Sequence, residues 1–263
     1  MPEPSAGDLI LGWQLDPASL VLVGLTGALY ATGVRRLAAR GRRWSPARTA
    51  ALAGGLAVAV VATQSGIARH EESRLWVHMV QHVLLGMVVP LLLVLAAPLT
   101  LALQSASPAT RRSLRSALRS RPAHLLAHPV VAWGLFGGGL VAIYLTPLLD
   151  LSVRDDAVHL VVHAHVVASG ALFLAVLVGI DPLPGRPPLG ARLLALLSSG
   201  SPMAPDAYPL LSDQRSAAGL FWGTGELFTL VVAGIILRQW WVDEQRAAAR
   251  DDRRAAAVSR GPS

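Results

Sequence analysis

Apolar residues gather in seven long runs, at about residues 18–34, 49–68, 75–103, 130–149, 158–180, 189–203 and 217–239. A helix needs roughly 20 mostly apolar residues to cross the hydrocarbon layer. Lipid offers the backbone no hydrogen-bond partners, so a crossing run must be helical. The pattern therefore predicts an all-α, polytopic membrane protein built as a bundle of seven transmembrane helices. The sixth run is short and is broken by SSGSPMAP, which makes it a candidate re-entrant or incomplete span. In the third run Pro90 predicts a kink, and Pro98 either ends the helix or re-aims it. Gly137, Gly138 and Gly139 in the fourth allow close helix approach or simply loosen the helix. The chain then divides into an extracytoplasmic N-terminal segment (1–17), a membrane domain (18–241) and a cytoplasmic basic tail (242–263) that continues the last helix and frays at its end.

Composition sharpens this picture. Charged residues make up 15% of the chain and hydrophobic ones 53%, with a mean hydropathy of +0.49; soluble domains carry about 25% charged residues. With no cysteine there is no disulfide, thiolate metal site or cysteine nucleophile. With no lysine among the 23 basic residues there is no retinal Schiff base. The residues before the first run contain Glu3, Asp8 and Asp16 but no basic residue, so no signal peptide is read there.

The placement of charge sets the orientation. Seven spans with the N-terminus outside put 19 arginines on the inner side and four on the outer, with ten acids outside and five inside. That asymmetry is the positive-inside rule, and it predicts N-out, C-in. It also accounts for the sequence pI of about 11.2 by membrane topology, without nucleic acid. Between the third and fourth runs, Ser107-Pro108 predicts a helix start. The following RRSLRSALRS sets Leu114 and Leu118 on one side among arginines, either as a basic helix on an anionic lipid surface or as a solvated loop helix.

Histidines carry the candidate chemistry. His78 and His82 lie about 5 and 10 Å below the outer start of the third span, and His159 and His163 about 2 and 8 Å below that of the fifth. Each pair is spaced i, i+4, so its two rings share one helix face. Neutral imidazoles suit copper, zinc or iron, and ionisable residues inside a span are functional-site hypotheses by default. The plainer reading has all four hydrogen-bonded to neighbouring helices or headgroups. By spacing alone His165 points elsewhere and reads as structural or as a support behind a ligand. Met79 and Met203 lie near the same surface as soft ligands for Cu(I) or as filler. Glu226, the one acid inside a span, serves a proton relay, supports a histidine, or makes a structural hydrogen bond; Trp222 shares its face. No phosphate loop or nucleophile triad occurs, and no enzymatic activity is expected.

Three blocks, HMVQHVLLGMVVPLLLVLAAPLTL (78–101), HLVVHAH with the later DPLP (159–165, 181–184) and DQRSAAGLFWGTGEL (213–227), resemble the seven-helix CtaG family of cytochrome c oxidase assembly factors. The resemblance runs from about residue 75 to 241. It implies a multi-pass protein of the bacterial plasma membrane that helps mature a haem–copper oxidase by handling a copper ion, with oxidase subunits and the lipid bilayer as partners. The family's histidines fall on His78, His82, His159, His163 and also His165, its glutamine–glycine–tryptophan block on Gln214, Gly219 and Trp222, and its acid on Glu226. Where the family often has a histidine near the outer end of the sixth helix, this chain has Met203. Two other readings compete: a b-type haem protein carrying electrons, and a metal or proton transporter using Glu226 and the histidines. Histidines on one side only argue against the first, and the lack of polar residues in the inner halves of the spans against the second.

Overall fold

A computed structural model describes residues 6–70, 74–199 and 212–259. All regular structure among them is helical: α1 (Ala6–Leu11), α2 (Pro17–Ala38), α3 (Pro46–Gln64), α4 (Gly66–His70), α5 (Leu75–Val83), a π-helical turn (Leu84–Val88), α6 (Val89–Leu95), α7 (Pro98–Ser105), α8 (Pro108–Leu118), α9 (Arg121–Leu126), α10 (Pro129–Leu145), α11 (Leu148–Arg154), α12 (Asp156–Val178), α13 (Leu189–Leu197) and α14 (Ser212–Ser259). Among the described residues five helical stretches are long and apolar enough to cross a membrane: Pro17–Ala38, Pro46–His70, Trp76–Ser105, Ala157–Val178 and Arg215–Arg253. The fourth apolar run forms the 17-residue α10, and the sixth yields only the nine-residue α13 within the described chain. The last helix carries the basic tail without a break to Ser259.

The third run is shaped by Pro90. Proline has no N–H, so the carbonyl four residues back, Gly86 O, loses its usual donor. The helix answers with a π turn one step earlier, in which Val89 N–H donates to Leu84 O, five residues back. Gly86 O is turned against α12 at Gly170, where an added Cβ would stand 2.5 Å from that oxygen and 3.2 Å from Pro90 Cγ. One turn nearer the N-terminus, a Cβ on Gly86 would stand 2.9 Å from Val166 Cγ1. Contacts advance together along both segments, so they run parallel, backbone nearly on backbone, as small residues permit.

The same run breaks again at Ala97, which takes a left-handed conformation (φ 52°) before Pro98 starts α7. That conformation is unfavourable for a residue with a Cβ and is held from two sides. The Asp181 carboxylate, in the link after α12, accepts from Leu99 N (3.1 Å), Thr100 N (2.8 Å) and the Thr100 hydroxyl (2.6 Å), capping α7. Tyr30 of α2 donates to Ala96 O at 2.9 Å and accepts from Trp44 Nε1 at 2.8 Å. Arg192 of α13 is 3% exposed; it donates to Leu177 O, to Val178 O (3.1 Å) and to Gln239 of α14 (3.1 Å). It thus closes the C-terminal end of α12.

The main core joins α6, α10, α12, α13 and α14 around Phe136, Phe173, Leu177, Leu196 and Ile236. A second packs α2 on α3 and α7 through Tyr30, Leu37, Leu52 and Leu101.

Two outcomes test this frame. Gly170→Ala should lower the unfolding temperature in detergent, with an overpacking cost of about 1–3 kcal/mol. Gly138→Ala, where a Cβ meets nothing within 4 Å, should not; equal behaviour of the two would refute the tight crossing. Asp181→Asn turns one acceptor into a donor facing N–H groups and should cost about 2 kcal/mol, read by the same melt. An unchanged melt would show that the α7 cap contributes nothing.

Candidate metal site at the paired histidines

The parallel crossing of the third run on α12 sets two histidine pairs side by side. His82 lies one turn before Gly86, and His163 two turns before Gly170. Within α5 the His78 and His82 rings have centroids 4.3 Å apart, tilted by 35°. Within α12 the His159 and His163 centroids are 4.1 Å apart. Between the helices His82 and His163 meet edge to face at 5.9 Å. The four rings therefore form one continuous chain, joined at its middle by the second histidine of each pair.

His78 and His82 are 5% and 3% exposed, and His159 and His163 are half-buried. The Nε2 of His163 is buried without a hydrogen-bond partner among the described residues, an arrangement that costs free energy unless another group meets that nitrogen. As the side chains stand, no three histidine or acidic groups among the described residues converge closely enough to hold one ion. The rings are neighbours, and ligation of a common ion requires them to turn.

The other candidate residues lie elsewhere. His165 faces α10: its Nε2 lies 3.2 Å from Leu135 O, and its ring fills the space where a side chain on Gly139 would be. There it borders an apolar cavity of about 480 Å³ with Gly139, Ile143 and Val162. Met79 is buried, while Trp222 and Glu226 sit on the exposed side of α14. Gln214 and Gly219 belong to the first turns of α14. Met203 lies outside the described residues.

Two glutamines escaped the sequence reading. The extended Ser65 (ψ −178°) separates α3 from α4 and frees the Ala62 carbonyl, which Gln81 Nε2 meets at 3.1 Å. Gln81 lies between the two α5 histidines, is buried, and keeps an unpartnered Oε1 among the described residues. Gln64 exchanges two hydrogen bonds with the Asp16 backbone, accepting from its N (2.8 Å) and donating to its O (3.2 Å), and so ties the start of α2 to the end of α3. Amides inside apolar runs were the available signal.

The sequence profile of the cytochrome c oxidase caa3 assembly factor family matches residues 28–208. An uncharacterized protein of Mycobacterium bovis and one of Mycobacterium tuberculosis are each 30% identical over 290 residues, which is 97% of this chain and 43% of theirs. One of Mycobacterium leprae is 30% identical over 296 residues, 95% of this chain and 45% of its own. The chain thus spans less than half the length of these relatives. No solved structure matches. The profile match covers more than half of the chain, including all four clustered histidines, and the protein belongs to the cytochrome c oxidase caa3 assembly factor family.

Proposed function

We propose that this protein is a non-catalytic assembly factor of the bacterial plasma membrane that takes up a copper ion at His78, His82, His159 and His163 and presents it to cytochrome c oxidase subunits. The observation that carries the reading is the unbroken chain of four rings across α5 and α12, with a buried nitrogen of His163 unmet among the described residues. Imidazole nitrogen is a competent copper donor, and the rings are already neighbours along the two helices. Haem fits less well. A macrocycle between the pairs needs a slot, and the helices close one turn past His82, where Gly86 meets Val166. The transporter reading draws little support from Glu226, whose side chain is exposed on α14.

The orientation we propose is seven crossings, N-out and C-in, with α10 and the α13 region as the two shorter ones. It places the ring chain toward the outer side. The arginine asymmetry supports it, although Arg192 belongs in that count as a helix cap rather than a loop charge.

Purified protein from copper-supplied cells should contain copper and show no Soret band. His82→Ala and His163→Ala should each reduce copper affinity by about tenfold or more, and occupancy should fall as acid protonates the imidazoles. Retention of copper and of oxidase assembly after all four histidines are changed to alanine would end the metal-site reading. Tags in spheroplasts should be exposed at the N-terminus and protected at the C-terminus; the reverse pattern would overturn the orientation.

A further inference from the structure

A second charged site forms at the opposite end of the third run. After α2 the chain turns through Gly41 in a left-handed conformation (φ +69°), with Arg40 N and Arg42 N both bonded to Leu37 O. This C-terminal turn aims the two arginines at the end of α7. There α2 and α7 pack closely: Leu37 is fully buried, and a Cβ on Gly33 would stand 3.0 Å from Leu101 and 3.3 Å from Ser105 Oγ. Arg40 Nη1 donates to Gln104 O at 3.3 Å, and Arg42 Nη2 to Gln104 Oε1 at 3.1 Å. From the first turn of α8, Arg111 Nη2 reaches back to the same Gln104 O and to Ala106 O, each at 3.4 Å.

Three guanidinium groups therefore gather on one neutral amide residue. Gln104 satisfies several of their N–H groups but none of their charge. The sequence has no Asp or Glu in residues 17–70 or 74–149, and none of the three arginines makes an ion pair among the described residues. Asp181, which does reach α7, is committed to the far end of that helix. Arg111 Nε is buried with no partner among the described residues. Arg111 also sits in the first turn of α8, where the helix dipole disfavours a cation and favours an anion. Repulsion and an unmet donor are both relieved by an anion with several acceptor oxygens.

We infer that Arg40, Arg42 and Arg111 form a binding site for the phosphate of an anionic phospholipid. The choice of lipid over free phosphate follows from position. Pro17–Ala38 and Trp76–Ser105 are both long and apolar enough to cross a membrane, and the cluster lies at the ends of both. That is the level at which lipid phosphates stand, and arginine is the side chain best matched to them. Next to it α8 has its half-buried Leu114 and Leu118 beside exposed Arg112, Arg115 and Arg119, as a helix lying at the lipid boundary requires.

The test uses the whole 263-residue chain, delipidated in neutral detergent and titrated with phosphatidylglycerol, phosphatidylcholine or inorganic phosphate, with bound lipid counted by native mass spectrometry. Phosphatidylglycerol should bind at one site, at least tenfold more tightly than phosphatidylcholine. Arg40→Gln/Arg42→Gln/Arg111→Gln should abolish that preference, while Arg112→Gln/Arg115→Gln/Arg119→Gln keeps it. Arg42→Gln alone, an exposed change, should weaken binding severalfold if the triple variant does not fold. Equal loss in both triple variants would reduce the effect to diffuse attraction by basic residues. Tight binding of inorganic phosphate with no gain from the lipid would overturn the lipid assignment, and unchanged lipid binding in Arg42→Gln and in the first triple variant would overturn the site.

Discussion

The close contact of Gly86 and Pro90 with Gly170 is the constraint on which the rest of the molecule depends. It begins as a covalent fact, a missing N–H at Pro90, which leaves Gly86 O to seek contacts outside its own helix. The space for that carbonyl exists because residue 170 has no side chain. Two segments more than 80 residues apart in sequence are thereby brought nearly backbone to backbone, in parallel and in one register. One and two turns away, the same register determines that His82 meets His163. A shift of a single residue along α12 would turn His163 away by about 100°, and the ring chain would be two isolated pairs.

A common rule governs the other irregularities. Each place where an apolar helix stops or bends frees a carbonyl or an N–H, and in lipid such groups find no water. At four such places a side chain from another element answers: Gln81 at Ala62 O, Tyr30 at Ala96 O, Asp181 at the start of α7, Arg192 at the end of α12. These side chains are few, polar and mostly buried, and they tie α2 to the end of α6, α3 to α5, the link after α12 to α7, and α13 to both α12 and α14. The bundle is therefore held by apolar packing between helices and by directional bonds at their breaks. The second kind fixes where each helix begins and ends, and so the height at which the histidines lie.

The histidine pairs were legible from spacing alone, because i, i+4 on a helix is a local geometry that needs no partner. The breaks at Pro90 and Pro98 were legible for the same reason. Their form was not: a π turn in place of a simple kink depends on what Gly170 leaves open, and the left-handed Ala97 depends on Asp181 and Tyr30. Arg192 illustrates the limit of counting charges, since an arginine in a short link reads as a solvent-facing cation until the carbonyls it meets are known. The sixth run reads as a weak apolar segment in the sequence and gives a nine-residue helix in the described structure, in keeping with its polar interruption. Spacing points His165 away from His163, and in the structure its ring packs at Gly139, which shows why α10 needs a residue without a side chain there.

The three sequence blocks that carry the family resemblance fall in two places, and the profile match takes in the first two and ends before the third. The first two hold the ring chain, its crossing and the Asp181 cap, all buried or half-buried. The third lies on α14, which packs against α5 yet leaves Trp222 and Glu226 exposed. A carboxylate facing hydrocarbon costs several kcal/mol on insertion scales, a cost that cover by another membrane segment would relieve at Glu226. Under the proposed reading, α14 would then offer one face to α5, behind the metal ligands, and the other to the recipient.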